Sequence, residues 1–361
     1  MTHRIALALV ARVAGAAFLA ACGGGSDGGT APPAGTTGSL SVAISGLPSD
    51  VTGSIAVAGP SGYSSTVTSA QTIANLAPGS YTLTPANVAD RSVGYAAPAV
   101  TATVAAGATA SGSAAYALKI LPRSLTNRTD ITTLARIKVL YVLPSDGTDR
   151  NLDTDGSLHR TISSGQRWLA SQTANRSFRY DMSDGGLDIA FVRMARTDAA
   201  YYSYNGAIRD SLEKDLKALS WNQPNVLLLV YYDGRHIDSC ASAAWPPALI
   251  GTLGAVYLKG IPNGPVPCAN NAFAASPTAA PGYIDLVAVH ELFHLQGLVS
   301  TGAPNHALSG HVGNDPTDLM YAGSLPWRPA TVDVTKTNYY SNTGLAAGVT
   351  NFKDSPYVVT P

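Results

Sequence analysis

The sequence predicts a chain of two parts, an N-terminal all-β sandwich module followed by a larger C-terminal α/β domain. Between residues 39 and 118, short β-prone runs are broken by Gly/Pro/Asp turns, and no helical periodicity occurs. From Lys119 onward, apolar strand-like runs alternate with segments whose apolar residues recur at helical spacing. At 361 residues the chain is long enough for two domains, one of them with a sizeable core.

Residues 1–22 read as a targeting segment rather than as part of either domain. "MTHR" is a short basic start, and Ile5 to Ala21 is apolar apart from Arg12, too short and interrupted for a membrane span. The segment ends "LAAC", Leu19 to Cys22, followed by "GGGSDGG". This resembles the lipobox of bacterial lipoproteins. The resemblance implies that Cys22 is lipidated, that the protein is exported to the outer membrane or cell surface (or stays in the periplasm), and that it meets the membrane only through that lipid. An ordinary signal peptide with a chance cysteine is the alternative. With Cys22 assigned to the lipid, Cys240 and Cys268 remain as an even pair in an exported chain. Bridged, they would close a loop worth roughly 3 kcal/mol; unbridged, they are two buried thiols.

Residues 23–38 are Gly/Pro/Thr-rich without apolar periodicity, as expected of a solvated tether. In 39–118 the runs "LSVAIS", "GSIAVAG", "SYTLTPA" and "TATVAA" are the expected strands, with "GLPSD" and "GPSGY" as turns. Through "NLAPGSYTL" this region resembles the prealbumin-like or immunoglobulin-like modules found beside bacterial surface enzymes. It holds no catalytic constellation, so a spacer or binding role is expected.

The second domain is taken as 119–361. A buried-type strand is expected at 136–146, a helix at 158–173 on Ile162, Trp168 and Leu169, and a strand hairpin turning at "DGG" within 178–194. A second amphipathic helix, 207–221, carries the stripe Ile208, Leu212, Leu216 and Leu219. Strands at 225–234 and 249–258 precede a helix at 283–297.

That last helix contains "VHELFHLQG", with His290, Glu291 and His294 in HExxH spacing and Gly297 three residues later. Residues i and i+4 share a helix face, so His290 and His294 can point at one ion with Glu291 beside them to handle water. Only two glutamates, Glu213 and Glu291, occur in the chain. A catalytic zinc needs a third protein ligand and an open position. No glutamate follows Glu291, so that ligand must be histidine or aspartate.

HExxHxxG followed by a histidine and a short "LMY" turn resembles the metzincin clan of zinc endopeptidases. In that clan's pattern a third histidine stands where this chain has Ser300. The spacing "HVGNDPTDLMY" suggests instead an insertion of about eleven residues that delivers the ligand later. His311 is favoured, because of its distance from Met320 and the freedom of Gly310; His306 and the aspartates Asp315 or Asp318 are the alternatives. The resemblance implies a zincin-like (metzincin-type) domain, Zn2+ on His290, His294 and His311, Glu291 as general base, and a protein or peptide substrate. Met320 would form an apolar floor or simply pack in the core. Tyr321 would donate to a developing oxyanion or be a buried structural residue. Strand 249–258 is the expected edge against which an extended peptide pairs.

Lys+Arg and Asp+Glu both number 23, so the net charge is zero and nucleic acid is not an expected partner. A monomer is expected. The expected function is a cell-surface zinc endopeptidase; the alternative is a catalytically inactive zincin-like surface binding lipoprotein.

Overall fold

The computed structural model describes residues 36–128, 132–261 and 273–360. The targeting segment with Cys22, nearly all of the tether, and Cys268 lie outside the described residues. Cys240 is disulfide-bonded.

The first region is built from β1 (Gly38–Ser45), β2 (Ile55–Ala58), β3 (Ser64–Val67), β4 (Gln71–Leu76), β5 (Gly79–Pro85), β6 (Val88–Asp90), β7 (Val93–Ala96), β8 (Val100–Val104), β9 (Thr109–Ala115) and β10 (Ala117–Leu118). They form a four-stranded sheet, β3-β2-β5-β8, and two three-stranded sheets, β4-β1-β9 and β10-β7-β6. Alternate residues turn inward: Leu40 and Val42 on β1, Ile55 and Val57 on β2, Tyr81 and Leu83 on β5 are all buried. This β-rich region is consistent with a β-sandwich.

The second region begins its sheet with β11 (Arg136–Leu143), followed by α1 (Ser157–Gln172). Three two-residue pieces, β12 (Ser177–Phe178), β13 (Met182–Ser183) and β14 (Gly186–Leu187), lead into β15 (Ile189–Arg193). Then come α2 (Asp198–Tyr202), α3 (Ile208–Ala218), β16 (Val226–Tyr232), β17 (Ala241–Ala243), β18 (Leu253–Tyr257) and α4 (Tyr283–Leu295). The tail adds β19 (His306–Ala307), β20 (His311–Val312) and β21 (Val358–Val359). Strand predominates, and the described residues hold four α-helices.

The central sheet runs β15-β11-β16-β18-β17; the first four strands are parallel and β17 is antiparallel to β18. Every residue of β11 and β16 is buried, because both sheet faces are covered. Ile137, Val139 and Tyr141 join the core that contains α1 and α4 residues, whereas Leu140 and Val142 join Ile208, Leu212 and Leu216 of α3.

Two expectations change. The run 178–194 is not one hairpin: the turn at Asp184 and Gly185 joins only β13 and β14, and β15 leaves to lie parallel to β11. Strand 249–258 shortens to β18 and lies inside the sheet, flanked on both sides, so among the described residues the outer strand on that side is β17. Apolar content reported its burial, not its place in the strand order.

The two regions are joined by polar contacts. Arg167 of α1 pairs with Asp50 and Asp90, and the Gln166 amide donates to the Arg91 carbonyl (2.9 Å).

Candidate metal centre

Helix α4 is apolar on all sides and buried from Ile284 to Leu295, as its position between the sheet and α1 requires. Asp285 closes its start, with Oδ2 accepting the Gly282 N–H at 2.8 Å. At its end Gly297 adopts φ +65°, a left-handed conformation that stops the helix and turns the chain away. Polar residues in such a helix need partners.

Two of those polar residues are His290 and His294, one turn apart. Their Nε2 atoms stand 2.9 Å from each other, and His311 from β20 brings its own Nε2 to 3.2 and 3.1 Å of them. Among the described residues, these three alone form a histidine, cysteine or carboxylate cluster able to hold a metal ion.

The opposite ring nitrogens fix the tautomers. His290 Nδ1 lies 2.7 Å from the Leu319 carbonyl, and His311 Nδ1 lies 3.0 Å from the Leu308 carbonyl. A carbonyl only accepts, so both Nδ1 atoms carry the proton and both Nε2 atoms present lone pairs. Three converging Nε2 atoms then have at most one proton among them, which cannot satisfy all three. A cation does satisfy them. In a tetrahedral site at about 2.0–2.1 Å from zinc, donor nitrogens stand roughly 3.3 Å apart, close to the spacing here. Burial drives His290 down to about 3, with His311 adding to the effect; burial likewise lowers His294 and His311. Neutral imidazole is the form a metal binds.

Glu291 follows His290 and is 4 % exposed. Burial pushes its carboxyl up to about 8, against the opposing charge of Arg209. A cation held by the three imidazoles would favour the carboxylate.

His311 arrives on a small hairpin. β19 and β20 pair His306 with Val312 and Ala307 with His311, and Ser309 and Gly310 turn through positive φ. A Cβ on Gly310 would meet the Trp245 indole at 2.2 Å, so only glycine lets the hairpin approach this closely. Ser300 is tied elsewhere: its Oγ donates to the Gly348 carbonyl and accepts the Thr350 N–H.

The competing candidates lie apart from this cluster. His306 stacks on Trp245, ring centroids 5.5 Å apart. Asp315 accepts from the Thr317 backbone and hydroxyl within its own turn. Asp318 is buried and accepts from Met320 N, Val334 N and Tyr339 Oη. That role also serves the cluster, since the turn it braces presents the Leu319 carbonyl to His290. Met320 is fully buried in the core. The Tyr321 hydroxyl accepts the Leu325 N–H at 3.1 Å.

The cluster opens onto a cleft of about 680 Å³. Glu291 and Tyr321 line it, as do all three residues of edge strand β17. Its apolar walls come from Trp245, Leu249, Ile261, Tyr283, Val287 and Trp327. Sequence reasoning missed the aromatic walls, for which "AAWPP" and "LPWRP" carry no functional signature. Trp327 also donates its Nε1–H to the Leu319 carbonyl at 3.0 Å, the same oxygen that orients His290.

No family model matches this chain, and no curated protein matches it. Among solved structures it is similar to GBS52, the minor pilin of Streptococcus agalactiae, at 13% identity and a TM-score of 0.20, over 26% of this chain and 49% of that one. It is also similar to a chaperone–substrate complex at 10% identity and a TM-score of 0.23, over 69% of this chain and 31% of that one. The chain thus spans about half and under a third of these two structures, and TM-scores this low carry no argument about fold or chemistry.

Proposed function

We propose that this chain is a zinc-dependent endopeptidase of metzincin-like type, exported and anchored through Cys22. The observation that carries the reading is the convergence of three Nε2 atoms, none more than 3.2 Å from another, beside the buried Glu291. Three imidazoles suit zinc, whose usual donors are nitrogen and sulfur, better than the hard cations that prefer oxygen. Bound there, zinc supplies Lewis-acid polarisation of a carbonyl and lowers the pKa of water.

The chain's own groups do the rest. A Glu291 carboxylate oxygen takes the proton of the attacking water and gives it to the leaving nitrogen. The apolar walls of the cleft restrict bulk water around the buried carboxylate. Among the described residues β17 pairs on one side only, and its other side would offer backbone N–H and C=O groups to an extended peptide.

The test is metal analysis of protein purified without chelator, together with cleavage of an unfolded protein such as casein. Stoichiometric zinc with turnover abolished by chelation and restored by zinc is the expected result. Zinc without any turnover, or protein that takes up no metal, would overturn the peptidase and leave the inactive binding protein as the better account.

A further inference from the structure

The cleft has one acid that the hydrolytic reading does not use. Asp238 stands three residues before β17, and its side chain is 71% exposed while it lines the same cleft as His290, Glu291 and His294. The basic group within ion-pair distance is His236, whose Nδ1 lies 3.1 Å from Asp238 Oδ1. That imidazole is a poor counter-ion. It is 2% exposed and stacked on Tyr257, and its Nδ1 accepts the backbone N–H groups of Asp238 and Ser239 at 3.3 and 3.2 Å. Burial favours its neutral form, with Asp238 opposing.

Among the described residues, no other cationic side chain pairs with Asp238. Among the described residues lining the cleft, none is lysine or arginine. Arg235, close by in sequence, is bound to Asp198. Residues 262–272, "PNGPVPCANNA", contain no charged side chain and so supply no counter-ion. Besides Glu291, the cleft therefore combines apolar and aromatic walls with one exposed carboxylate, that of Asp238, at the approach to the edge strand.

We propose that Asp238 forms a subsite for a lysine or arginine side chain, so that the preferred substrate is an extended peptide with a basic residue among apolar ones. At that position acidic residues are disfavoured, because Asp238 stands against their carboxylates and no lysine or arginine among the described cleft residues answers them. An apolar wall beside the carboxylate suits the long aliphatic stem of either basic side chain. The proposal rests on the peptidase reading and adds the substrate's charge to it.

Binding tests it without requiring turnover. Matched octapeptides with arginine, glutamine or glutamate scanned through each position are titrated against zinc-loaded Glu291→Gln protein by calorimetry. The expected order is Arg over Gln over Glu at one position, with Arg favoured about five- to tenfold. Added Asp238→Asn should collapse the Arg-to-Gln ratio to within about twofold, and raised salt should erode the preference in the parent. A ratio that survives Asp238→Asn, or equal binding of the three peptides, overturns the subsite. If wild-type protein cuts the glutamine peptide while the order is absent, the subsite falls and the peptidase reading stands. If no peptide is bound or cut, both fall.

Discussion

The indole of Trp245 stacks on the imidazole of His306 with ring planes 21° apart, and its Nε1–H donates to the Leu298 carbonyl at 2.9 Å. Leu298 is where the chain leaves α4, and His306 belongs to the hairpin that carries His311. Trp245 therefore links the segment bearing two of the converging histidines to the segment bearing the third. Trp245→Ala should weaken metal binding about tenfold or more, by loosening His311 without touching any Nε2. Gly310→Ala should act in the same direction, through the Cβ it presses on the indole at φ +77°. Competition with a chromogenic chelator measures both; unchanged affinity in folded protein would show that the hairpin holds itself.

Removing a ligand should differ in kind from removing its neighbour. His311→Ala deletes one Nε2 of three and should lower metal affinity by at least 100-fold. His306→Ala removes only a stacking partner and should cost far less. The reverse order in metal analysis would contradict the geometry.

Glu291→Gln should keep the metal and lose roughly 100- to 10,000-fold in kcat, since an amide cannot accept the water proton. Metal content is read first and peptide turnover second. Near-normal turnover would remove Glu291 from the mechanism.

Asp285 gives a pH dependence with a definite sign. Burial raises its carboxyl from 3.8 to about 6, despite the Gly282 N–H it accepts. The folded state therefore holds the proton more tightly than the unfolded chain. The stability this contributes is complete below about pH 4 and is lost as the pH rises through about 6. Asp285→Asn can still accept from Gly282 but does not ionise. The variant should be more stable than wild type at pH 8, on the order of 1–3 kcal/mol, and the gap should close below pH 4. Chemical denaturation at the two pH values checks it.

If Cys22 carries the proposed lipid, Cys22→Ser should move the protein from the membrane fraction to the soluble one, with both domains intact. Retention in the membrane fraction would argue for another anchor.

Some of this was settled by local spacing. HExxH on an apolar run places two imidazoles and a carboxylate together, because i and i+4 meet on a helix whatever surrounds it. The predominantly apolar runs at β11 and β16 announced buried strands, and Ala/Val/Thr alternation between turns announced the β-rich first region. Spacing to Met320 ranked His311 ahead of His306, Asp315 and Asp318, but left all four possible. Only the folded chain brought His311, alone of the four, beside His290 and His294, since proximity depends on where a fifteen-residue return path ends rather than on its composition. β17 was illegible for a related reason: "ASA" carries no strand signature, and an edge is defined by a neighbour that is absent. The cleft walls, Trp245 and Trp327, are 82 positions apart in sequence. Local chemistry can be read from adjacent residues, whereas a third ligand, an edge and a cavity exist only through contacts between distant ones.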